Sequence, residues 1–314
     1  MEPKVNKFVP VMITPFNQDL EIDWDALSEV IEFYLRSGAK GLFANCLSSE
    51  MYSITEKERI KLVHHIVTQA KGRVPVVATG SFGLSQEDKA ESVKKIHATG
   101  VDAVILITSH FAKFEEGDGI LVNNFEKLFD LTGNIPLGLY ECPAPYKRII
   151  SAGVFGRLLE SKRLIYHKDT SLKIDLVRKK LDVMSDQKNE ELEFYDAHTP
   201  NALASLRAGA RGLSAIAGNF YPELLAWLCA YANQPEQKEK AEWLQAELTH
   251  TDPLIHEGYP ASSKYFLKNR GIRIKETSRV YPLELTTIQK KILDEIYLRF
   301  LGWCERLEIS PFYL

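Results

Sequence analysis

Lys168 is the residue of this sequence with the most direct chemical consequence. It lies in the apolar run 164–170, which has the composition of a buried strand and in which it is the only lysine or arginine. Burying an ammonium group is costly unless the group is paired or neutralised. Burial also lowers the pKa of a lysine, and the neutral amine is a nucleophile. The run therefore predicts either an imine-forming lysine or a lysine at a strand end that reaches solvent or a salt bridge.

Two further groups could assist such an amine. Tyr140 lies near the end of the preceding apolar run, 135–143, and a phenol beside an uncharged amine can relay protons during imine formation. Ser48 and Ser49 follow an earlier run, and hydroxyls with unpaired turn N–H groups can hold a carboxylate. The alternatives are a tyrosine that fills the core with its hydroxyl hydrogen-bonded, and serines that only cap their own turn.

The elements that would position these residues repeat along the chain. Short apolar runs suited to buried strands lie at residues 9–16, 41–46, 75–80, 103–109, 135–143, 164–170, 192–197 and 212–219. Each is followed by a segment with helix signals, such as the capping pair Thr55 and Glu58. Eight such units predict an α/β fold of the (β/α)8 TIM-barrel type. A doubly wound open sheet is the competitor, but no Gly-x-Gly-x-x-Gly follows the first run.

In a barrel of this kind the chemistry lies at the carboxyl ends of the strands. Lys168 and Tyr140 lie near the ends of consecutive runs. Because side chains alternate along a strand, Tyr140 shares the interior face with Gly138, and Lys168 shares it with Tyr166. We therefore predict a barrel catalytic domain at residues 1–233 that brings the lysine and the phenol together. Residues 234–314 read as a C-terminal helical appendage packed on the barrel.

Several motifs resemble the dihydrodipicolinate synthase / N-acetylneuraminate lyase superfamily of class I, Schiff-base-forming aldolases. Residues 9–16, Val-Pro-Val-Met-Ile-Thr-Pro-Phe, resemble the first strand of that family. Residues 139–143, Leu-Tyr-Glu-Cys-Pro, resemble its Tyr-Asn-x-Pro segment, and residues 167–171, His-Lys-Asp-Thr-Ser, its Ile-Lys-Asp segment. The resemblance runs over essentially the whole chain and rests on the order and strand placement of the motifs.

The resemblance implies a role for each matched residue. Lys168 would form a Schiff base with pyruvate or another 2-keto acid, and Tyr140 would shuttle protons. Ser48 matches the second hydroxyl of the family's turn, so it would hold the keto acid's carboxylate and relay protons to Tyr140. Ser49 is a weaker candidate for the same contact. No cofactor or metal is implied, because the iminium acts as the electron sink.

Three departures from the family's patterns bear on the substrate. Pro145 stands where dihydrodipicolinate synthases carry an arginine for the second substrate's carboxylate. Phe111 stands where those enzymes carry a tyrosine that reaches the neighbouring subunit. Thr199 and Pro200 stand where sialic acid lyases carry an Asp-Glu pair. The sequence therefore predicts neither a standard dihydrodipicolinate synthase nor a standard sialate lyase.

Polar residues at other strand ends are candidates for contacts with the substrate. The predicted substrate-binding set, besides Ser49 and Phe111, is His110, Glu141, Asp196, His198 and Ser214. Each of them could instead be a solvated rim residue. A metal-dependent barrel lyase is a further alternative, since the two histidines and two carboxylates could form an oxygen/nitrogen site.

Composition narrows the class of partner. The net charge is −3 for 314 residues, which gives no electrostatic case for nucleic acid or an anionic membrane. No apolar run approaches the roughly 20 residues of a membrane span, and the beginning of the sequence has no apolar core of a secretory signal. We expect a cytoplasmic protein. The resemblance implies a homo-oligomer, a dimer or a tetramer, with residues 110–116 at a subunit contact.

Together these observations predict a lyase that acts on a 2-keto acid through a lysine imine. The reaction would be aldol cleavage or condensation of the pyruvate type, or dehydration of a 2-keto-3-deoxy sugar acid. The alternative from another class is a non-catalytic barrel that binds a keto acid or sugar acid as a sensor, which the altered turn and Phe111 would favour.

Overall fold

Eight parallel strands alternate with eight helices in the computed structural model, which describes residues 5–280 and 284–312. The strands are β1 Lys7–Phe8, β2 Leu42–Phe43, β3 Val76–Thr79, β4 Ala103–Ile107, β5 Leu137–Tyr140, β6 Leu164–Asp169, β7 Glu193–Asp196 and β8 Gly212–Leu213. The helices between and after them are α1 Trp24–Arg36, α2 Glu56–Ala70, α3 Gln86–His97, α4 Asp118–Leu131, α5 Ala152–Leu159, α6 Ile174–Asp186, α7 Ala202–Arg207 and α8 Pro222–Tyr231. The predicted α/β barrel is confirmed.

The sheet closes on itself. Neighbouring strands pair in the order β1-β8-β7-β6-β5-β4-β3-β2, and a parallel bridge between Val11 and Phe43 joins the remaining two edges. Met12 N donates to Phe43 O over 3.1 Å at the same seam. Closure leaves no free sheet edge, which rules out the doubly wound open sheet. The first strand begins at Lys7, before the predicted run 9–16, and the run itself forms the seam with β2.

Side chains alternate between two apolar layers. In β4, Ala103, Ile105 and Ile107 face the barrel interior, whereas Val104 and Leu106 pack against the helices. The other strands follow the same period of two. A residue's place in its strand thus decides whether it can reach the barrel mouth.

The helices begin and end at the residues that the sequence indicates. Glu58 N donates to Thr55 Oγ1 over 3.2 Å and Thr55 N donates to Glu58 Oε2 over 2.9 Å, which forms the predicted capping box of α2. Gly38 and Gly100 follow helices with φ of 95°, a left-handed conformation that glycine adopts without a steric penalty. These ends fix where each chain segment enters the next strand.

Three more helices follow the barrel: α9 Lys238–His256, α10 Ala261–Asn269 and α11 Thr287–Leu307. Gln245 of α9 accepts from Leu203 N over 2.7 Å and donates to Thr199 O over 3.0 Å, both beside β7. Helix α9 continues through Pro253, and Leu248 and Ile255 on either side of that proline are both fully buried. The tail packs on the barrel, and the boundary at 233/234 stays a prediction. Within the described residues, no helix combines the length and apolarity of a membrane span.

Candidate active site

Lys168 lies on the interior face of β6, with only 5% of its surface exposed. It pairs in register with Tyr140 on β5 and with Tyr195 on β7. The Lys168 ammonium nitrogen lies 4.3 Å from the centre of the Tyr140 ring. Burial lowers the pKa of Lys168 to about 8, against smaller opposing effects of nearby acidic groups. Near neutral pH a minority of the molecules therefore carry Lys168 as the nucleophilic free amine.

Aromatic rings form the floor beneath this lysine. The Tyr166 ring stacks on Tyr195 with 4.7 Å between centroids, and Phe43 meets Tyr140 and Tyr166 edge-on at 5.6 and 5.9 Å. Ser214, which follows β8, is fully buried and accepts from the Tyr166 hydroxyl over 3.5 Å. This packing excludes water from below the amine, which accounts for the direction of its pKa shift.

Tyr140 is the proton-carrying group nearest to Lys168 on the neighbouring strand. It is 3% exposed, and burial raises its pKa well above the ordinary value, with nearby Cys142 contributing in the same direction. Tyr140 therefore stays a protonated phenol at neutral pH and can donate a proton to a substrate oxygen. Cys142 is buried too, and burial raises the pKa of its thiol to about 11, so it is a thiol rather than a thiolate.

The two serines of the turn after β2 have different surroundings. Ser48 is 6% exposed and lies near the phenol of Tyr259, whose pKa is raised by burial and lowered to a smaller extent by the Ser48 hydroxyl. The Ser49 hydroxyl instead contacts two backbone carbonyls, Met12 O at 2.6 Å and Ala44 O at 2.8 Å, and accepts from Cys46 N over 3.1 Å. The expectation that Ser49 binds a substrate carboxylate is corrected, because its hydroxyl holds the turn against the first strand.

The residue that follows these serines ties the turn to the C-terminal helices. Glu50 adopts a left-handed backbone with φ of 59° and is fully buried. Lys264 of α10 donates to its carboxylate over 2.7 Å, and Ser278 donates to it over 2.9 Å. The tail therefore holds the serine turn in place beside the barrel mouth.

His110 lies at the rim of the barrel after β4. Its Nδ1 donates to Ser81 O over 2.6 Å, and its Nε2 faces the Tyr52 hydroxyl at 2.9 Å. Burial lowers the pKa of His110 to about 4, so the imidazole is neutral at neutral pH. The His110 ring meets the Phe82 ring edge-on, with 5.9 Å between the ring centroids, so aromatic rings line this part of the rim.

Phe111 does not reach the mouth. Its ring stacks on Phe125 of α4 with 4.1 Å between centroids and 17° between planes, and it is 1% exposed. The predicted substrate contact of Phe111 is corrected, because the ring fills the layer between strands and helices. The same burial removes it as a side chain that could pack across a dimer.

Glu141 also faces the helix layer. It is fully buried, accepts from Ile150 N over 3.0 Å and from Thr170 N over 3.1 Å, and pairs with Lys180 of α6. Lys180 binds Asp169 of β6 over 2.7 Å as well. The prediction that Glu141 lines the mouth is corrected, because its carboxylate joins two loops and a helix behind the strands.

Asp196 ends β7, one residue after the inward-facing Tyr195. It is fully buried and its Oδ1 accepts from His198 N over 2.8 Å, whereas its Oδ2 has no hydrogen-bond partner among the described residues. Burial raises the pKa of Asp196 to about 7. Its predicted place at the mouth is corrected, although it interacts electrostatically with Lys168.

His198 remains on the rim, half-buried, where desolvation lowers its pKa and Asp252 of α9 opposes the shift.

The alternative metal site is not assembled by this fold. In the described part of the chain, Glu141, His167 and Asp169 form the group whose ligand atoms lie close enough together to hold a metal ion. His110 and His198 do not belong to this group. The ammonium group of Lys180 bonds both carboxylates of that cluster. A side-chain cation therefore occupies the position that a metal ion would need.

Two residues beside the site were not predicted from the sequence. Tyr259 lies between α9 and α10, and Asn219 follows β8; the Asn219 amide donates to the Tyr259 hydroxyl over 2.6 Å. Asn219 is the last residue of the predicted run 212–219 but was not among the predicted site residues, and Tyr259 lies in the helical tail, outside the predicted runs. The fold alone brings them to Ser48.

The comparisons with known proteins show the family of this chain and agree with its barrel fold. The model of the dihydrodipicolinate synthetase family matches residues 4–297. The 4-hydroxy-tetrahydrodipicolinate synthase of Cytophaga hutchinsonii is 29% identical over 266 residues, which covers 83% of this chain and 85% of the relative.

Solved structures share the fold over nearly the full length of the chain. YagE, a prophage protein of the dihydrodipicolinic acid synthase family from E. coli K12 solved with pyruvate, has a TM-score of 0.84 at 18% identity and covers 97% of this chain and 99% of its own. The chloride-inhibited dihydrodipicolinate synthase of Acinetobacter baumannii, complexed with pyruvate, has a TM-score of 0.81 at 21% identity, with 95% and 99% covered. With a barrel, a buried lysine and a neighbouring phenol in place, this chain belongs to the dihydrodipicolinate synthetase family.

Proposed function

We propose that this protein is a lyase that forms a Schiff base between Lys168 and a 2-keto acid of the pyruvate type. The observation that carries the proposal is the pairing of a buried lysine, whose pKa is lowered to about 8, with a protonated phenol whose ring centre lies 4.3 Å from the ammonium nitrogen. An amine that is partly neutral and a phenol that keeps its proton are the two groups that imine formation needs.

The chemistry follows from these two groups. The neutral amine of Lys168 attacks the ketone carbon, and Tyr140 donates its proton to the oxygen of the carbinolamine, which leaves as water. The resulting iminium draws electrons from C3, so the C3–C4 bond of a 4-hydroxy-2-keto acid can break to an enamine and an aldehyde as the Tyr140 phenolate takes the proton of the C4 hydroxyl. The reverse steps form the bond. The same intermediate supports dehydration of a 2-keto-3-deoxy sugar acid. The iminium supplies the electron sink, so we expect no metal requirement.

Pyruvate is the keto acid that we propose for this site. Two solved structures with this fold, YagE and the enzyme of Acinetobacter baumannii, were determined with pyruvate bound. In this chain the Ser48 hydroxyl, at the turn beside the barrel mouth, is the candidate for holding the carboxylate of the keto acid. The Ser49 hydroxyl is already engaged by the backbone.

The aldehyde partner differs from that of a standard dihydrodipicolinate synthase in our proposal. Pro145 stands in the segment where the family resemblance places an arginine for a second carboxylate, and the phenyl ring of Phe111 is buried against α4. The rim instead presents neutral groups, namely the Tyr52 hydroxyl and the His110 imidazole. We expect a neutral hydroxyaldehyde to be accepted in preference to one that carries a carboxylate.

Exchange of the methyl protons of pyruvate in D2O, followed by NMR, tests the proposal. The wild-type protein should exchange these protons, since the enamine takes up deuterium at C3, and Lys168→Ala should lose the exchange. Lys179→Ala is the matched control, because that lysine is exposed on α6 and should leave the rate unchanged. Equal exchange in Lys168→Ala and wild type would contradict the assignment of the lysine.

A panel of aldehydes tests the substrate class. Consumption of pyruvate together with neutral hydroxyaldehydes, but not with aldehydes that carry a carboxylate, is the expected result. A preference for a carboxylated aldehyde would refute the proposed specificity while leaving the imine chemistry intact.

A further inference from the structure

A buried charged cluster joins the carboxyl ends of β5 and β6 directly behind the two proposed catalytic residues. Glu141 is the residue after Tyr140, and Asp169 is the residue after Lys168. The ammonium of Lys180 on α6 bonds both carboxylates, with 2.7 Å to Asp169 Oδ2. The three charged side chains are at most 1% exposed. The cluster therefore lies one residue away from each member of the pair and is shielded from water.

The pairing between these two strands is not continuous. The register shifts by one residue after the pair Leu137 and Leu164. Beyond the shift, Tyr140 lies opposite Lys168. Without the shift, Tyr140 would lie opposite His167, and the lysine would face the helices, because a slip of one residue moves each side chain to the other face. The amine and the phenol thus meet only in the shifted register.

The charged cluster fits the same register and no other. Because Tyr140 and Lys168 face the interior, the residue after each of them faces the helices. Glu141 and Asp169 therefore lie side by side on one face of the sheet, where one ammonium group can bond both. In the unshifted register the two carboxylates would lie on opposite faces, and Lys180 could reach only one of them.

Backbone groups hold each carboxylate to the loop beyond the strand ends. Thr170 N donates to Glu141 Oε2 over 3.1 Å, and Ser171 N donates to Asp169 Oδ1 over 2.7 Å. The ammonium of Lys180 lies between the two carboxylates and offsets their mutual repulsion, which is strong between buried like charges. Without that ammonium, the repulsion would push the ends of the two strands apart.

We propose that Lys180 is a positioning residue that fixes the register of β5 against β6 and so holds Tyr140 opposite Lys168. This inference rests on the proposed imine chemistry. The ammonium of Lys180 does not touch the substrate, because it lies on the helix side of the strands. It acts through the two carboxylates, each of which is covalently next to one of the reacting side chains.

Lys180→Met tests the role, because it removes the ammonium and keeps a long apolar side chain. At saturating pyruvate, the rate constant of imine formation, measured by timed borohydride quenching, should fall by about 10- to 100-fold, as expected for a small misplacement of reacting groups. A rate constant reports on the folded molecules alone, so a loss of folded protein lowers the amount trapped and leaves the rate constant unchanged.

Arg163→Met is the matched control. Arg163 precedes β6 and ties the same two strands together at their amino ends, where it donates to Ile135 O over 2.9 Å and to Phe129 O over 2.7 Å. This variant should lose stability but keep the wild-type rate constant, because it leaves the carboxyl ends of the strands in place.

Asp169→Asn provides a second, milder variant should Lys180→Met fail to fold. Asparagine keeps an oxygen for Ser171 N but loses the charge that Lys180 bonds, whereas the pair of Lys180 with Glu141 remains. The rate constant should again fall, by about 10-fold.

A double-mutant comparison separates positioning from a general structural role. If the cluster acts by placing Tyr140, Asp169→Asn should slow the Tyr140→Phe variant much less than it slows the wild type. Effects that multiply would overturn the proposal, as would a rate constant within about twofold of wild type in folded Lys180→Met or Asp169→Asn. Absence of imine trapping in the wild type would instead refute the proposed function itself.

Discussion

The ammonium nitrogen of Lys168 lies 4.3 Å from the centre of the Tyr140 ring, and the two residues are register partners on neighbouring parallel strands. Both point into the barrel, because each occupies an interior position of its strand. Aromatic rings below them keep water out. The relationship sets the protonation states that imine chemistry requires, and four predictions follow from it and from the groups around it.

Imine formation should depend on pH through Lys168. Because burial lowers the pKa of its amine to about 8, the neutral fraction rises about tenfold per pH unit below that value and is constant above it. The rate of pyruvate-dependent trapping, sampled by timed borohydride quenching, should rise with pH and level off near pH 8. A rise that continues to the ordinary lysine pKa of about 10.4 would show that the amine is hydrated.

Tyr140→Phe should slow catalysis without unfolding the protein. The variant keeps the ring that packs on Phe43 at 5.6 Å but loses the proton donor, so turnover should fall by about 10²–10⁴-fold. Tyr195→Phe is the control, since its hydroxyl donates to Glu193 over 2.6 Å in the same barrel. Steady-state kinetics and thermal melting of both variants measure the effect. Unchanged turnover in Tyr140→Phe would leave this tyrosine a packing role only.

Lys180→Met should destabilise the fold. The ammonium of Lys180 bonds Glu141 and Asp169, and all three side chains are at most 1% exposed. Removing it leaves two buried carboxylates unpaired, and breaking a buried ion pair costs about 3–5 kcal/mol. Urea denaturation should show this loss in the free energy of unfolding.

Arg157→Ala provides the comparison for that loss. Arg157 pairs with Glu126 and Glu160 while 58% of its side chain is exposed. Surface pairs contribute little, so the change should stay within about 0.5 kcal/mol. Similar effects of the two substitutions would argue against a supporting role for the buried cluster.

Asp196→Asn should change how stability depends on pH. Burial raises the folded-state pKa of Asp196 to about 7, above its ordinary value of 3.8. Between these two values the folded state binds the extra proton, so this group stabilises the fold at low pH and the contribution is lost as pH rises towards 7.

Asparagine is neutral throughout and keeps an oxygen for His198 N. The melting temperature of Asp196→Asn relative to wild type should therefore increase from about pH 4 to about pH 7 and then stay constant. Melting curves over this range measure the difference. A difference that is independent of pH would show that Asp196 is ionised in the folded protein.

The sequence predicted the fold and the central pair because both depend on local patterns. Alternation along a strand placed Tyr140 and Lys168 on the interior face, and the same rule accounts for the residues that were misplaced. Glu141 and Asp196 each come one position after an interior tyrosine, so they face the helix layer. Their polarity suggested that they line the barrel mouth, but their positions in the strands place them on the side of the helices.

Contacts between distant segments were not predictable in this way. The basic run at 178–180 is typical of a solvated helix face, yet Lys180 is buried because Glu141 and Asp169 end strands opposite it. Tyr259 belongs to the helical tail. It lies near Ser48 because α9 and α10 pack against the side of the barrel mouth, where Lys264 forms an ion pair with Glu50. Such pairings depend on how helices return to the barrel, which periodicity does not encode.

Borohydride reduction in the presence of pyruvate, followed by intact mass and peptide mapping, tests the central claim most directly. The account predicts a single stable adduct, with the mass of a reduced pyruvyl imine, on the peptide that carries Lys168, and none in Lys168→Ala. A wild-type protein that forms no adduct with pyruvate or with longer 2-keto acids would contradict the claim, and a barrel that only binds such acids would then be the better description.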